Sequence, residues 1–145
     1  MLAPAANAQI LDVLRERGVS PLLVGQVIIA SLQEHETAIR RAVAGSGLPL
    51  HVICNKDAVM ILPAGVDKAS GVEAALNAVG LSPEQAVGVG DAENDVDFLV
   101  KCGLAVAVGN ALPEVKQRAQ MITRATHGAG VAELAGWLMA CKRDW

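Results

Sequence analysis

The stretch Val87-Gly-Val-Gly90-Asp91-Ala-Glu-Asn94-Asp95 restricts this chain to few folds. A short apolar run ends in glycine and passes at once into acidic and amide residues where a helix can begin. In open α/β sheets that edge, outside the carboxyl ends of the strands, is where ligands bind. The surrounding sequence agrees. From Pro63 onward helical and strand patterns alternate: a helix from about Asp67 to Val79, a strand at Ala86 to Val89, a helix from about Glu93 to Cys102 and a strand at Leu104 to Val108. A helix over Pro113 to Ala119, a short strand at Met121 to Thr123 and a last helix over Val131 to Ala140 complete the series. Such alternation predicts an α/β fold, one half of a doubly wound parallel sheet flanked by helices, over residues 64–145.

The preceding residues read differently. Ile10, Leu11 and Leu14 recur at helical spacing with Gly18 as a C-cap, so residues 1–20 are expected to carry one amphipathic helix. Pro21 to Ala30 reads as one strand rich in Val and Ile, Ser31 as the N-cap of a helix through Ala44, and Leu50 to Cys54 with Ala58 to Leu62 as a hairpin turning at Asn55-Lys56-Asp57. Residues 21–63 thus read β-α-β-β. The break near Pro63-Ala-Gly65 is a change of architecture.

Composition narrows the functional classes. The 145 residues are 52% hydrophobic, enough to bury a core, and carry a formal charge of −3. Basic residues such as Arg15, Arg17, Arg40 and Arg41 are scattered, and Phe98, Trp137 and Trp145 are the only aromatics, so neither an electrostatic stripe nor a stacking platform for nucleic acid is present. No apolar run reaches the roughly 18 residues that span a bilayer, and the N-terminus has no leader pattern, which gives a cytoplasmic expectation with no membrane partner. Cys54, Cys102 and Cys141 are odd in number and widely spaced, and read as reduced packing residues.

Two stretches carry chemistry. Asp91 and Asp95 lie four apart, so a helix starting between them lets both carboxylates face one point as hard oxygen ligands for Mg²⁺, with the Asn94 amide placed to hold a phosphate oxygen. The same residues also satisfy ordinary helix chemistry, Asp91 as an N-cap with Glu93 and Asp95 complementing the macrodipole. A dinucleotide loop fits less well, because Glu93 stands where G-x-G-x-x-G has its third glycine. The second stretch is Gly65-Val-Asp67-Lys68-Ala-Ser-Gly71, which puts Lys68 in a first helical turn, where a cation opposes the macrodipole yet adds to an anion site. The alternative is an exposed lysine paired with Asp67 or Glu73. His35, His51 and His127 are far apart and fall on a polar helix face, a strand start and a loop, giving no common site.

Lys68 opening a helix, followed by a strand and Gly90-Asp91-Ala-Glu-Asn94-Asp95, resembles the third and fourth motifs of the haloacid dehalogenase superfamily in its sugar-phosphatase-like branch. The resemblance extends from about Val24 to Leu138 and includes Ala107-Val-Gly109-Asn110-Ala111 and Gly128-Ala-Gly130-Val131. It implies a Rossmann-like core with residues 21–63 as the end or a minimal form of an inserted cap. It implies Mg²⁺ as cofactor, bound by Asp91 and bound or oriented by Asp95, with Asn94 near the phosphate of a small phosphorylated molecule. Lys68 would take the catalytic, charge-stabilising role and contact the phosphate.

The family's nucleophile is the first Asp of D-x-D-G-T on the first core strand. The only D-x-D here, Asp95-Val-Asp97, precedes Phe98 inside a predicted helix. The Ser or Thr of the second motif also has no counterpart. The chain is therefore expected to be a truncated form, inactive alone, or else a non-catalytic cation- and phosphate-binding or assembly protein of the same descent. Without the first core strand the Ala86 to Val89 strand becomes an open edge, expected to be covered by self-association or a partner chain.

Overall fold

The computed structural model describes residues 8–141, so the ends of the expected segments 1–20 and 64–145 lie in part outside the described residues. The chain divides into two compact units, one ending at Asp67 and the other starting at Lys68.

The first unit begins with α1, Ala8–Glu16, which buries Ile10 and Leu14. Strands β1, Leu23–Val24, and β2, Ile29–Leu32, follow, then a 3₁₀ turn at Gln33–His35 and helix α2, Glu36–Ser46. Strands β3, Leu50–Asn55, and β4, Ala58–Pro63, close the unit. All pairings are antiparallel, in the order β1-β2-β4-β3. Ile10, Leu14 and Val19 share one core with Ile29, Ile39, Val59 and Ile61, so the opening helix packs into the same body as the sheet.

Two expectations for this unit need correction. The single strand read over Pro21 to Ala30 is a hairpin: the chain reverses at Gly25, whose amide donates to the Ile28 carbonyl at 2.8 Å, and Leu23 pairs with Ala30. The segment is accordingly β-β-α-β-β, not β-α-β-β. Ser31 is no helix cap. It stands in β2 opposite Val59, buried, with its hydroxyl donating to the Pro21 carbonyl at 2.7 Å, because the ladder to β4 continues through Leu32. The second hairpin is as expected, Asn55 pairing with Ala58 across a turn in which Lys56 has φ 51°.

The second unit follows the α/β alternation closely. Helix α3, Lys68–Ala78, leads through a 3₁₀ turn at Pro83–Gln85 to β5, Val87–Gly90, and a further 3₁₀ turn at Glu93–Asp95 opens the single-turn helix α4, Val96–Leu99. Strand β6, Leu104–Ala107, helix α5, Pro113–Arg118, strand β7, Met121–Ile122, and helix α6, His127–Cys141, complete it. β5, β6 and β7 are parallel, in that order, and β5 pairs only with β6 among the described strands. Leu99, Ala105, Ala107, Val108, Ala111 and Val115 form its core. The fold class is thus the α/β arrangement expected, with a parallel sheet flanked by helices and a separate antiparallel sheet.

α6 starts four residues earlier than Gly128-Ala-Gly130 suggested. Gly130 serves packing within the helix: a Cβ there would lie 2.6 Å from both the Ala125 carbonyl and Thr123 Oγ1. No helix of the described residues is long and apolar enough to cross a membrane.

Candidate functional site

The carboxyl end of β5 turns directly into the acidic loop, and Asp95 organises that turn. Its buried carboxylate accepts the Asp91 amide at 2.8 Å and the Ala92 amide at 3.1 Å, both on Oδ2. These are charge-assisted bonds to amides that the strand no longer satisfies. Oδ1 accepts from the Lys68 ammonium in an ion pair. The fit explains Gly90, because a Cβ there would stand 2.5 Å from the Asp95 Cβ. The Asp91 backbone is fixed on its other side too, its carbonyl accepting the Leu112 amide at 3.0 Å.

Lys68, the first residue of α3, also donates to Asn94 Oδ1 at 3.2 Å. The lysine side chain is half exposed while that of Asp95 is 6% exposed, so the pair joins a buried acid to a reachable cation. Of the alternatives expected for Lys68, Glu73 accepts from Lys101 at 2.6 Å instead. Lys68, Val89, Gly90, Asp91, Asp95, Val108, His127 and Val131 line one cavity of about 320 Å³. Lys68, Asp91 and Asp95, drawn from two sequence stretches, thus meet in one pocket, and Asn94 reaches it through the lysine.

Between β6 and α6, beyond the cavity lining, a set of hydrogen bonds fixes the segment that leads into His127. Lys116 donates to the Gly109 carbonyl at 2.6 Å, and the Gly109 amide donates to the Ala125 carbonyl at 3.0 Å, which also accepts from the buried Thr123 hydroxyl at 2.8 Å. The Glu133 carboxylate accepts the Ala125 amide at 2.8 Å and the Arg124 amide at 3.1 Å, and these bonds hold its carboxyl below the usual carboxylate range. His127, read as a loop residue without a role, is the first residue of α6 and lines the pocket. Its only advance signal was position, beside Gly128-Ala-Gly130.

Mg²⁺ in phosphate sites takes one or two carboxylates and completes its shell with water and phosphate oxygens. Among the described residues no three His, Cys, Asp or Glu side chains form a metal cage. Both Asp95 oxygens are engaged by the loop and Lys68, which gives this residue an orienting geometry. The donor set therefore fits Mg²⁺ only where Asp91 is joined by water and the ligand's own phosphate.

The model of the family described as haloacid dehalogenase-like hydrolase matches residues 7–134. The chain is 39% identical over 84 residues to a phosphoglycolate phosphatase of Methanothermobacter thermautotrophicus, a match over 55% of this chain and 38% of that protein. Its fold is similar to that of the sucrose-phosphatase of Synechocystis sp. PCC6803, with a TM-score of 0.68 and 20% identity over 90% of this chain and 61% of the other. It is also similar to the Thermoplasma acidophilum 0175 structure, with a TM-score of 0.73 and 14% identity over the same shares of the two chains. The chain thus spans well under half the length of the phosphoglycolate phosphatase and less than two thirds of these two structures.

Proposed function

The chain belongs to the haloacid dehalogenase-like hydrolases, and we propose that it carries the charge-stabilising side of a cytoplasmic, Mg²⁺-dependent phosphatase site for a small phosphorylated molecule. The observation that supports this most is the Lys68 ammonium held between Asn94 Oδ1 and Asp95 Oδ1 in the pocket that Asp91 also lines. Phosphoryl transfer asks the protein for positioning and for positive charge around the transferring group. Lys68 supplies that charge from a helix N-terminus, Asn94 orients it and offers an amide to a phosphate oxygen, and Asp91 would hold Mg²⁺ together with water and phosphate. Asp95 keeps the lysine and the loop in place. Mg²⁺, when bound, neutralises phosphate charge.

The bond-making side is a different matter, since D-x-D-G-T does not occur in these 145 residues. Loss of a nucleophile from such a constellation costs many orders of magnitude in rate. Isothermal titration with inorganic phosphate in the presence of Mg²⁺ should show binding that Lys68→Ala and Asp91→Asn each weaken about tenfold or more. The same chain should turn over no generic phosphate ester. Absence of any Mg²⁺-dependent phosphate binding would remove the reading, and steady turnover abolished by Asp91→Ala would show that the bond-making group is present after all.

A further inference from the structure

We propose that His127 is a ligand-contacting residue of this pocket, its imidazole donating a hydrogen bond to an oxygen of the bound phosphorylated molecule. The inference rests on the phosphate-site reading above and adds to it a residue from α6, a helix that the acidic loop and Lys68 do not involve.

Three observations point to it. His127 lines the cavity with Lys68 and Asp91 and is exposed there. Its backbone has φ 51°, the left-handed region that costs free energy for any residue bearing a Cβ and persists where the surroundings enforce it. The surroundings do enforce it: the His127 amide donates to Asn110 Oδ1 at 2.7 Å, and the two residues before Thr126 are tied down by Glu133, Gly109 and Thr123. Glycine would occupy position 127 without that cost, as Gly128 shows glycine is at hand in this segment, so the backbone alone gives no reason for histidine.

The electrostatics supply one. The Lys68 ammonium is shared with Asp95, so a phosphate in the pocket gains from a further donor beside the lysine and Mg²⁺. A neutral imidazole always carries one N–H, a donor that adds no negative charge.

The deciding variant is His127→Gly, which relieves the backbone while removing the ring. In titrations of inorganic phosphate with Mg²⁺ it should lower affinity about 5- to 20-fold, with a melting temperature equal to or above that of the unsubstituted chain. A residue kept only for structure would leave phosphate affinity unchanged, and that result, with Lys68→Ala still weakening binding, overturns the role of His127 alone. Loss of phosphate binding in the unsubstituted chain overturns the site reading and this inference together. If the glycine variant fails to fold, the His127 ring Cε1–H resonance of the unsubstituted chain decides: it should shift on phosphate titration, and a resonance that stays in place sinks the proposal.

Discussion

Asp95 shows how one side chain can fix a loop and a cation together. Its two oxygens accept two amides and an ammonium, so the carboxylate would be missed three times over if it were removed. Asp95→Ala leaves the Asp91 and Ala92 amides without their acceptor and should cost about 2 to 4 kcal/mol, measurable by urea unfolding. Asp95→Asn keeps the acceptor but not the charge and should cost less. An alanine variant as stable as the parent would mean that the loop finds other partners. The sequence already singled out Asp95, by spacing as a metal ligand beside Asp91 and by the family resemblance as a residue that binds or orients the metal. What it concealed was direction: spacing places two carboxylates on one side of a turn, yet only the fold reveals that one of them turns back to the amides preceding it.

At the scale of elements, Glu133 of α6 accepts the backbone amides of Arg124 and Ala125, which ties the helix to the segment that leads into it. Because those bonds depress its pKa, the folded chain holds Glu133 ionised at pH values where the unfolded chain begins to protonate it. Its contribution is complete above about pH 4.3 and is lost as pH falls through the depressed folded value. Glu133→Gln should therefore melt below the parent at pH 7, and the gap should narrow under acid, as thermal melts between pH 3 and 7 would record. A gap independent of pH would assign the difference to something other than ionisation. The elements themselves were mostly legible: apolar runs ending in Gly or Pro placed β5, β6, α3 and α5 within a residue or two. The failures had several causes: Ser31 sits in a ladder instead of a cap, the helix read over Glu93 to Cys102 is a 3₁₀ turn and a single helical turn ending at Leu99, and some glycines were ambiguous. Gly25 interrupts a Val- and Ile-rich run that propensity alone reads as continuous, and Gly128 and Gly130, which fall before the helix expected from Val131, lie inside it.

At the scale of the whole molecule, β5 has one partner strand, β6, among the described residues. Val87 of β5 is 40% exposed, and with Ala86, Leu104, Trp137 and Leu138 it lines a groove of about 620 Å³. A strand edge flanked by apolar surface is a template for pairing. We expect sedimentation at micromolar concentration to show association through this edge, and Val87→Lys, which places a charge on it, to shift the chain toward monomer. A parent chain that sediments as monomer would mean the edge needs no cover. The single pairing of β5 among the described strands was foreseeable from the family resemblance. The groove was not, because Trp137 and Val87 are 50 positions apart and no periodicity connects them.

The boundary between the two units falls between Asp67 and Lys68, and Lys68 is at once the first residue of α3 and the cation of the pocket. The joint is thus a poor place to splice. One residue inserted or deleted within the first turn of α3 would rotate the helix register by about 100°, carrying the ammonium away from Asp95 and the neighbouring Ala69 out of its buried position. For anyone grafting a different first unit onto this half, the permissible seam lies upstream of Asp67, so that Lys68 and Ala69 keep their register.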